Sequence, residues 1–312
     1  MLFLLLSLAG WANTPGHVHP TQIAKHSGLY TQAAERAGTT FREREAQSAA
    51  FALALTSYQE GLDLLGERAP ASERERLHGL RQRYHREHAV LQAFAQAMME
   101  DFDEQFSAAM NRAMPPGVVV CEATVGTGPS LPGLPRRTQA NPDCQGPDRN
   151  QDVAMRMDAD PSLQSAVQEL LALDWPTFSI EPEARPPIGG SRWIEVQPFM
   201  RSLIAARLDA IEREDERARI PLAAALEEGI TPENRESLLA QGRAVTLRTS
   251  TARGSVAAPI LRSVENAGPK VIGAPVGWCA NPRSFGGCSG EAVPPAQVQT
   301  LRKNKKVLKA SL

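Results

Sequence analysis

The segment 21–114 most constrains what this chain can fold into. Two long runs of helical periodicity meet there near Pro70, a residue that holds its predecessor out of helical geometry. In the second run Leu77, Leu80, Tyr84, Leu91, Phe94, Met98, Phe102, Phe106, Ala109 and Ala113 recur at steps of three, four or seven. That spacing places them on one stripe of a helix about eleven turns long. Ser72 and Glu75 stand at the spacing of a capping box, and Pro115 with Pro116 ends the run.

The first run is thinner. Ile23, Tyr30, Ala34, Ala37 and Phe41, then Ala52, Leu55, Tyr58, Leu62 and Leu65, keep a similar period, but much of the stripe is alanine. Gly38 followed by the pair Thr40 and Glu43 predicts that this helix stops and restarts. Alanine surfaces let two helices approach closely yet bury little area, so the hairpin needs a third or fourth helix against it. The expected fold class is mainly α: a long N-terminal helical hairpin packed in a helical bundle, with disulfide-pinned loops and at most a few short strands.

Ahead of the hairpin, 1–12 reads as a signal peptide. Residues 2–8 are almost entirely apolar, and Gly10 with Ala12 offers a small-residue cleavage site, although the positive n-region is missing. The run is short of the roughly 20 apolar residues of a membrane span. Trp11 stands where a lipobox needs cysteine, which excludes lipid anchoring there. Export to the periplasm or the outside is the expectation. Arginine outnumbers lysine 28 to 6 in an alanine-rich chain, a bias typical of high-GC bacterial coding.

The four cysteines fit an oxidising compartment. Cys121 and Cys144 bracket a segment of Gly, Pro, Thr and Asn, and Cys279 and Cys288 bracket a smaller one. Local pairing is expected for both, because each bridge staples a loop with little apolar content. In the chain-entropy model each closure stabilises by roughly 2 to 4 kcal/mol. Zinc does not suit these spacings, which lack a CxxC pair, and no histidine follows His88.

The remainder divides into 13–116, the hairpin; 117–160, a Pro/Gly-rich disulfide loop with a short strand at 118–120; and 161–312, a C-terminal helical region. Asp160 before Pro161 predicts a capped helix start. A longer helix is expected from Val196, with Phe199, Leu203, Ala206, Ile211 and Ala218 inward and the mixed charges of 212–217 outward. Thr231 and Pro232 predict a short helix closed by Gly242. The alternation of 244–249 predicts a strand, and 256–264 a helix interrupted by Pro259. Four of the six lysines, Lys303, Lys305, Lys306 and Lys309, fall with Arg302 in the last segment, 296–312. Val298, Leu301, Leu308 and Leu312 are expected to share one helical face there, and no acid follows Glu291. Such a basic amphipathic segment suits an anionic membrane or an acidic partner.

Motifs of common chemistry are missing. There is no Gly-rich loop ending in Gly-Lys-Ser/Thr, no HExxH and no CxxCH. Gly287, Cys288, Ser289 and Gly290 approach a nucleophile elbow, but Glu291 stands where the motif ends in glycine. His85 and His88, three apart with Glu87 between them, could ligate a metal with Glu43, Glu45 or His26. The repeated Glu-x-x-His of di-iron bundles is absent, so they are read as polar residues on the rim of the helix pair. His17 and His19 are a pair suited to adventitious copper or nickel. No metal and no cofactor is expected, and the net charge of −1 argues against a general nucleic-acid binder.

The expected function is non-enzymatic binding or scaffolding of a protein partner in the bacterial envelope or extracellular space. The first alternative is a membrane-active protein using the hairpin and basic tail. The second is an enzyme with a loop-assembled, metal-assisted site.

Overall fold

A computed structural model describes residues 16–124, 138–140, 146–178 and 182–312. The expected signal at 1–12, Cys144 and most of the loop between Cys121 and Cys144 lie outside them. The chain runs β1 (Gly16–Val18), α1 (Pro20–His26), α2 (Gly28–Leu65), a 3-10 turn at Gly66–Arg68, α3 (Ala71–Ala113), β2 (Val118–Val120), β3 (Glu122–Thr124), β4 (Thr138–Ala140), α4 (Asn150–Asp158) and α5 (Pro161–Ala172). It continues through β5 (Arg192–Glu195), α6 (Val196–Glu227), α7 (Pro232–Ile272), β6 (Val276–Cys279), a 3-10 turn at Arg283–Phe285, β7 (Glu291–Ala292), α8 (Pro295–Arg302) and α9 (Lys305–Ser311). The mainly helical class with a long N-terminal helix pair is as expected. Two compact units share those helices: Met1–Ser48 with Arg86–Phe178, and Ala49–His85 with Ser179–Leu312.

In the first unit the alanine stripe of α2 is completed by other helices, as its small area requires. Ala33, Ala37 and Phe41 join Leu91, Met98, Phe102 and Phe106 of α3 in one core with Val153 and Met157 of α4 and Leu163, Val167 and Leu170 of α5. Tyr30 stacks near Phe106 with centroids 4.7 Å apart, and Trp175 meets Phe94 at 5.2 Å. β1 pairs in parallel with β2, the strand expected at 118–120.

The break expected at Gly38 does not occur. Ala37 and Phe41 are both buried, and burial of the stripe on either side carries the helix through a local stop signal. The interruption falls instead at Ser27, which is extended (φ −77°, ψ 119°) between α1 and α2. Its hydroxyl oxygen accepts from the Tyr30 amide at 3.1 Å, and its O–H donates to Asp158 at 2.5 Å. Asp158 also accepts from the Gly28 amide at 2.8 Å. Half of this cap comes from 130 residues downstream, beyond the reach of a local motif. The capping box expected at Ser72 is displaced as well: α3 starts at Ala71, and the Pro70 carbonyl accepts from the Glu73 and Arg74 amides at 3.1 and 3.4 Å.

The second unit carries a three-stranded parallel sheet of order β6, β5, β7. α6 and α7 form the crossover from β5 to β6, and the loop closed by Cys279–Cys288 forms the crossover from β6 to β7. α6 begins at Val196 as expected, but Ile204 departs from helical geometry (φ −133°, ψ 32°). That kink rotates the face, so Ile204 and Leu208 are buried where Leu203 and Ala206 were expected.

Thr231 caps α7 in a full capping box with Asn234. The helix then runs unbroken to Gly273, which adopts φ 72° at its C-cap. The expected stop at Gly242, strand at 244–249 and interruption at Pro259 are all overturned. Val245 and Thr249 are buried at helical spacing while Leu247 is exposed. The Thr246 and Thr249 hydroxyls lie 2.9 and 3.1 Å from the carbonyls four residues back, so the β-branched run is accommodated in the helix.

The last segment is two short helices rather than one. Leu301 and Val307 are buried, whereas Leu308 and Leu312 are exposed, so the shared face expected for Leu301, Leu308 and Leu312 does not form. The turn at Lys303 and Asn304 resets the phase between α8 and α9.

Candidate functional site

Three acids on the long helices are buried in the second unit: Glu60 and Asp63 of α2 and Glu73 of α3. Each is met by groups from later in the chain. Glu60 accepts from Gln197 Nε2 at 2.7 Å and Arg201 Nη2 at 3.1 Å. Asp63 accepts from Ser250 Oγ at 2.7 Å and Arg253 Nη1 at 3.3 Å. Glu73 accepts from Arg185 through Nε and Nη2 at 3.2 and 3.0 Å and from the Tyr58 hydroxyl. Arg76 donates to Tyr58 at 3.2 Å and to Asn281 Oδ1 at 3.0 Å, and its guanidinium lies 5.4 Å from the Tyr58 ring centroid.

Asn281 belongs to the disulfide loop, and its Nδ2 faces the Glu183, Phe285 and Gly287 carbonyls at 3.1, 3.0 and 2.6 Å. Phe285, fully buried, plugs against Phe51 and Tyr58 with centroids 5.5 and 6.2 Å away. The Cys279–Cys288 bond (Cα separation 5.8 Å) thus closes a loop whose interior is already specified.

This belt fastens elements. The guanidiniums of Arg185, Arg201 and Arg253 are committed to buried carboxylates, as buried charges require. Burial, reinforced by Glu73, pushes the Tyr58 hydroxyl up to about 12, so it stays a neutral donor. Below the ordinary value of 10.0 the folded and unfolded chains both keep the proton; between there and about 12 only the folded chain does. Stability therefore falls as pH rises through that window. Tyr58→Phe is expected to remove this part of the alkaline slope and to cost about 1 to 3 kcal/mol at neutral pH, read from urea midpoints against pH. Tyr30, raised by burial and by Asp103, supplies slope that remains. An unchanged alkaline slope in Tyr58→Phe would contradict this account.

A cleft of the first unit, about 410 Å³, is lined by Arg112, Ala113, Arg156, Asp160, Pro161 and Ser162. Asp160 is engaged there as the N-cap of α5, accepting from the Ser162 and Leu163 amides at 2.8 and 3.3 Å and from Arg112 Nε at 2.8 Å. The Arg112 hydrogen bond and those amides hold its carboxyl down at about 2. A second cavity between α6 and α7, beside Asp215 and Thr249, measures about 20 Å³, room for about one water.

The histidines do not converge. His85 is exposed, and His88 Nδ1 lies 3.1 Å from Ser48 Oγ. His17 and His19 sit on and beside β1, their rings edge to face at 5.3 Å. Among the described residues no group of three or more metal-ligating side chains occurs. Cys121 is disulfide-bonded. Arg302 lies over the Phe199 ring at 5.6 Å, while Lys303, Lys305, Lys306 and Lys309 are exposed.

One surface was not foreseen. Beyond Leu208, α6 and the first half of α7 form a two-helix arm in which Val245 and Thr249 are the buried residues of the α7 half. Ile220, Leu226, Ile230, Leu239 and Leu247 are 50 to 69 % exposed along it. Of the charges of 212–217 expected outward, Arg213, Glu214, Glu216 and Arg217 are exposed, whereas Asp215 turns toward α7, accepting from the Thr249 hydroxyl at 2.6 Å, and pairs with Arg219 at 2.8 Å. The sequence signal was available: Ile220 stands two residues from both Ala218 and Leu222, off the inward stripe. The chain matches no family model, no curated protein and no solved structure.

Proposed function

We propose that this chain is an exported, non-enzymatic binding or scaffold protein of the bacterial envelope or extracellular space, and that it takes a protein partner on the α6–α7 arm. The observation that carries the reading is the arm itself, a helical pair and its connection along which five large apolar side chains stand exposed. Apolar surface gathered on one element marks an interaction site, whereas single exposed leucines need no explanation. Two further facts agree. The Cys279–Cys288 bond suits an oxidising compartment, and no helix among the described residues is long and apolar enough to cross a membrane.

The test is a crosslinking pull-down from the native envelope with the wild type and an Ile220→Ser/Leu226→Ser/Leu239→Ser variant. Partner recovery is expected to fall at least about tenfold, the equivalent of about 1.4 kcal/mol. The melting temperature should stay nearly unchanged, because exposed positions contribute little to stability. Equal recovery by both proteins would remove the arm from the reading. Replacing the 121–144 loop in parallel locates the contact there if only that variant loses the partner. Intact mass on the same preparation reads signal cleavage and the number of disulfides.

A further inference from the structure

The basic tail is folded onto the second unit in a way that leaves one of its faces unused. In α9, Val307 is fully buried, and Arg207 of α6 donates to the Leu312 carbonyl. Asn304 caps the helix, its Oδ1 accepting from the Lys306 amide at 3.0 Å. Taking about 100° of rotation per residue, Leu308, Leu312, Lys305, Lys309 and Lys306 fall in that order on an arc centred opposite Val307. All five are exposed, Leu308 at 44 % and Leu312 at 90 %. Among the described residues none of these lysines forms an ion pair. Arg302 does not belong to this face, because its side chain is turned onto Phe199.

We propose that the outward face of α9 is a peripheral docking surface for an anionic membrane, with Lys305, Lys306 and Lys309 at lipid phosphates and Leu308 and Leu312 entering the interface. Three lysines give the charge complementarity, each strengthening attraction to an anionic leaflet severalfold. The two leucines select the membrane over other polyanions. A nucleic acid or free phosphate offers them nothing apolar, whereas the boundary between headgroups and acyl chains accepts both kinds of side chain. The overall charge of −1 points the same way, confining attraction to this patch instead of the whole surface. The surface is independent of the arm proposed above to hold a protein.

The experiment is flotation of the disulfide-bonded full chain with phosphatidylcholine vesicles, with and without about one-third phosphatidylglycerol. Binding is expected to the anionic vesicles alone and to fade as salt is raised to about 0.5 M, where screening shortens to a few Å. Lys305→Gln/Lys306→Gln/Lys309→Gln should weaken it about a hundredfold. Leu308→Ser should weaken it severalfold with the salt dependence retained. Lys25→Gln/Lys270→Gln should leave it unchanged, and all variants should melt with the wild type. No binding to anionic vesicles, equal binding to neutral ones, or indifference to the triple substitution would overturn the proposal. So would binding of a short DNA duplex that is lost in the triple variant while vesicles are ignored.

Discussion

Gly190→Ala is expected to unfold the second unit or to lower its stability by about 4 kcal/mol or more, which is exceptional for adding one methyl group. A Cβ at Gly190 would overlap the Pro275 carbonyl oxygen and lie 2.5 Å from the carbonyl carbons of Pro275 and Val276. These are backbone atoms, and β6 cannot step aside. On one side it is held to β5 in the register Val276 to Arg192 through Cys279 to Glu195. On the other it exchanges two hydrogen bonds with Ile188, at 2.8 and 2.9 Å. Gly277 faces the same contact, since a Cβ there meets the Gly190 carbonyl oxygen at 2.6 Å. Denaturant unfolding followed by fluorescence reads the effect, because Trp278 is buried in β6. Gly79→Ala and Gly242→Ala are the controls. Both sites are helical with open space around the new Cβ, and each substitution should be neutral or stabilising by up to about 1 kcal/mol. A Gly190→Ala protein that unfolds with the wild type would refute the close approach of these two segments.

Arg253→Met is expected to cost about 3 to 5 kcal/mol, the usual penalty for leaving a buried charge without its partner. Asp63 is 2 % exposed, and once the guanidinium is gone its hydrogen-bond partners are the neutral Ser250 and Gln59, with the Arg81 charge acting on it only through space. Methionine retains most of the apolar stem of the arginine, so the loss reports charge more than packing. The decisive comparison is the double variant Asp63→Asn/Arg253→Met. With neither charge present it should be clearly more stable than Arg253→Met alone, a non-additivity measured in one set of urea titrations. Additive effects would show that the pair contributes no coupling and that the belt of buried acids is not held by its arginines.

The same contrast between near and distant partners separates what could be read from the chain. The stripe from Leu77 to Ala113, the helix boundary near Pro70, the cap at Asp160 and Pro161, the start at Val196 and the cap at Thr231 were all legible. So was the Cys279–Cys288 pairing. In each case the deciding atoms lie within about ten residues of one another, close enough for spacing alone to carry the information. Gly38, Gly242 and the alternation of 244–249 gave equally local signals, and these lost. Ala37, Phe41, Val245 and Thr249 are buried by helices packed against them, and that burial outweighs a propensity of under about 1 kcal/mol per residue.

The strands of the second unit show the limit most plainly. Arg192–Glu195 finds Val276–Cys279 some 80 residues away and Glu291–Ala292 about 100 away, in runs too short to show alternation. The candidate surfaces divide in the same way. The lysines of 303–309 were visible as a cluster, but which side of α9 faces out follows from the burial of Val307. For the arm on α6 and α7 the outward position of Ile220 could be read from its spacing, but its role as a surface could not, because a helix face becomes a binding surface only when nothing in the rest of the chain covers it. The sequence by itself determined where most of the long helices start, since caps, prolines and periodicity act over a turn or two of backbone; it did not show α4, which lies in the segment read as a loop, or the helical state of 244–249. The tertiary structure alone decided which helices run on through their stop signals, which acids are buried against which arginines, and which faces stay open, since each depends on surfaces that the linear chain does not yet possess.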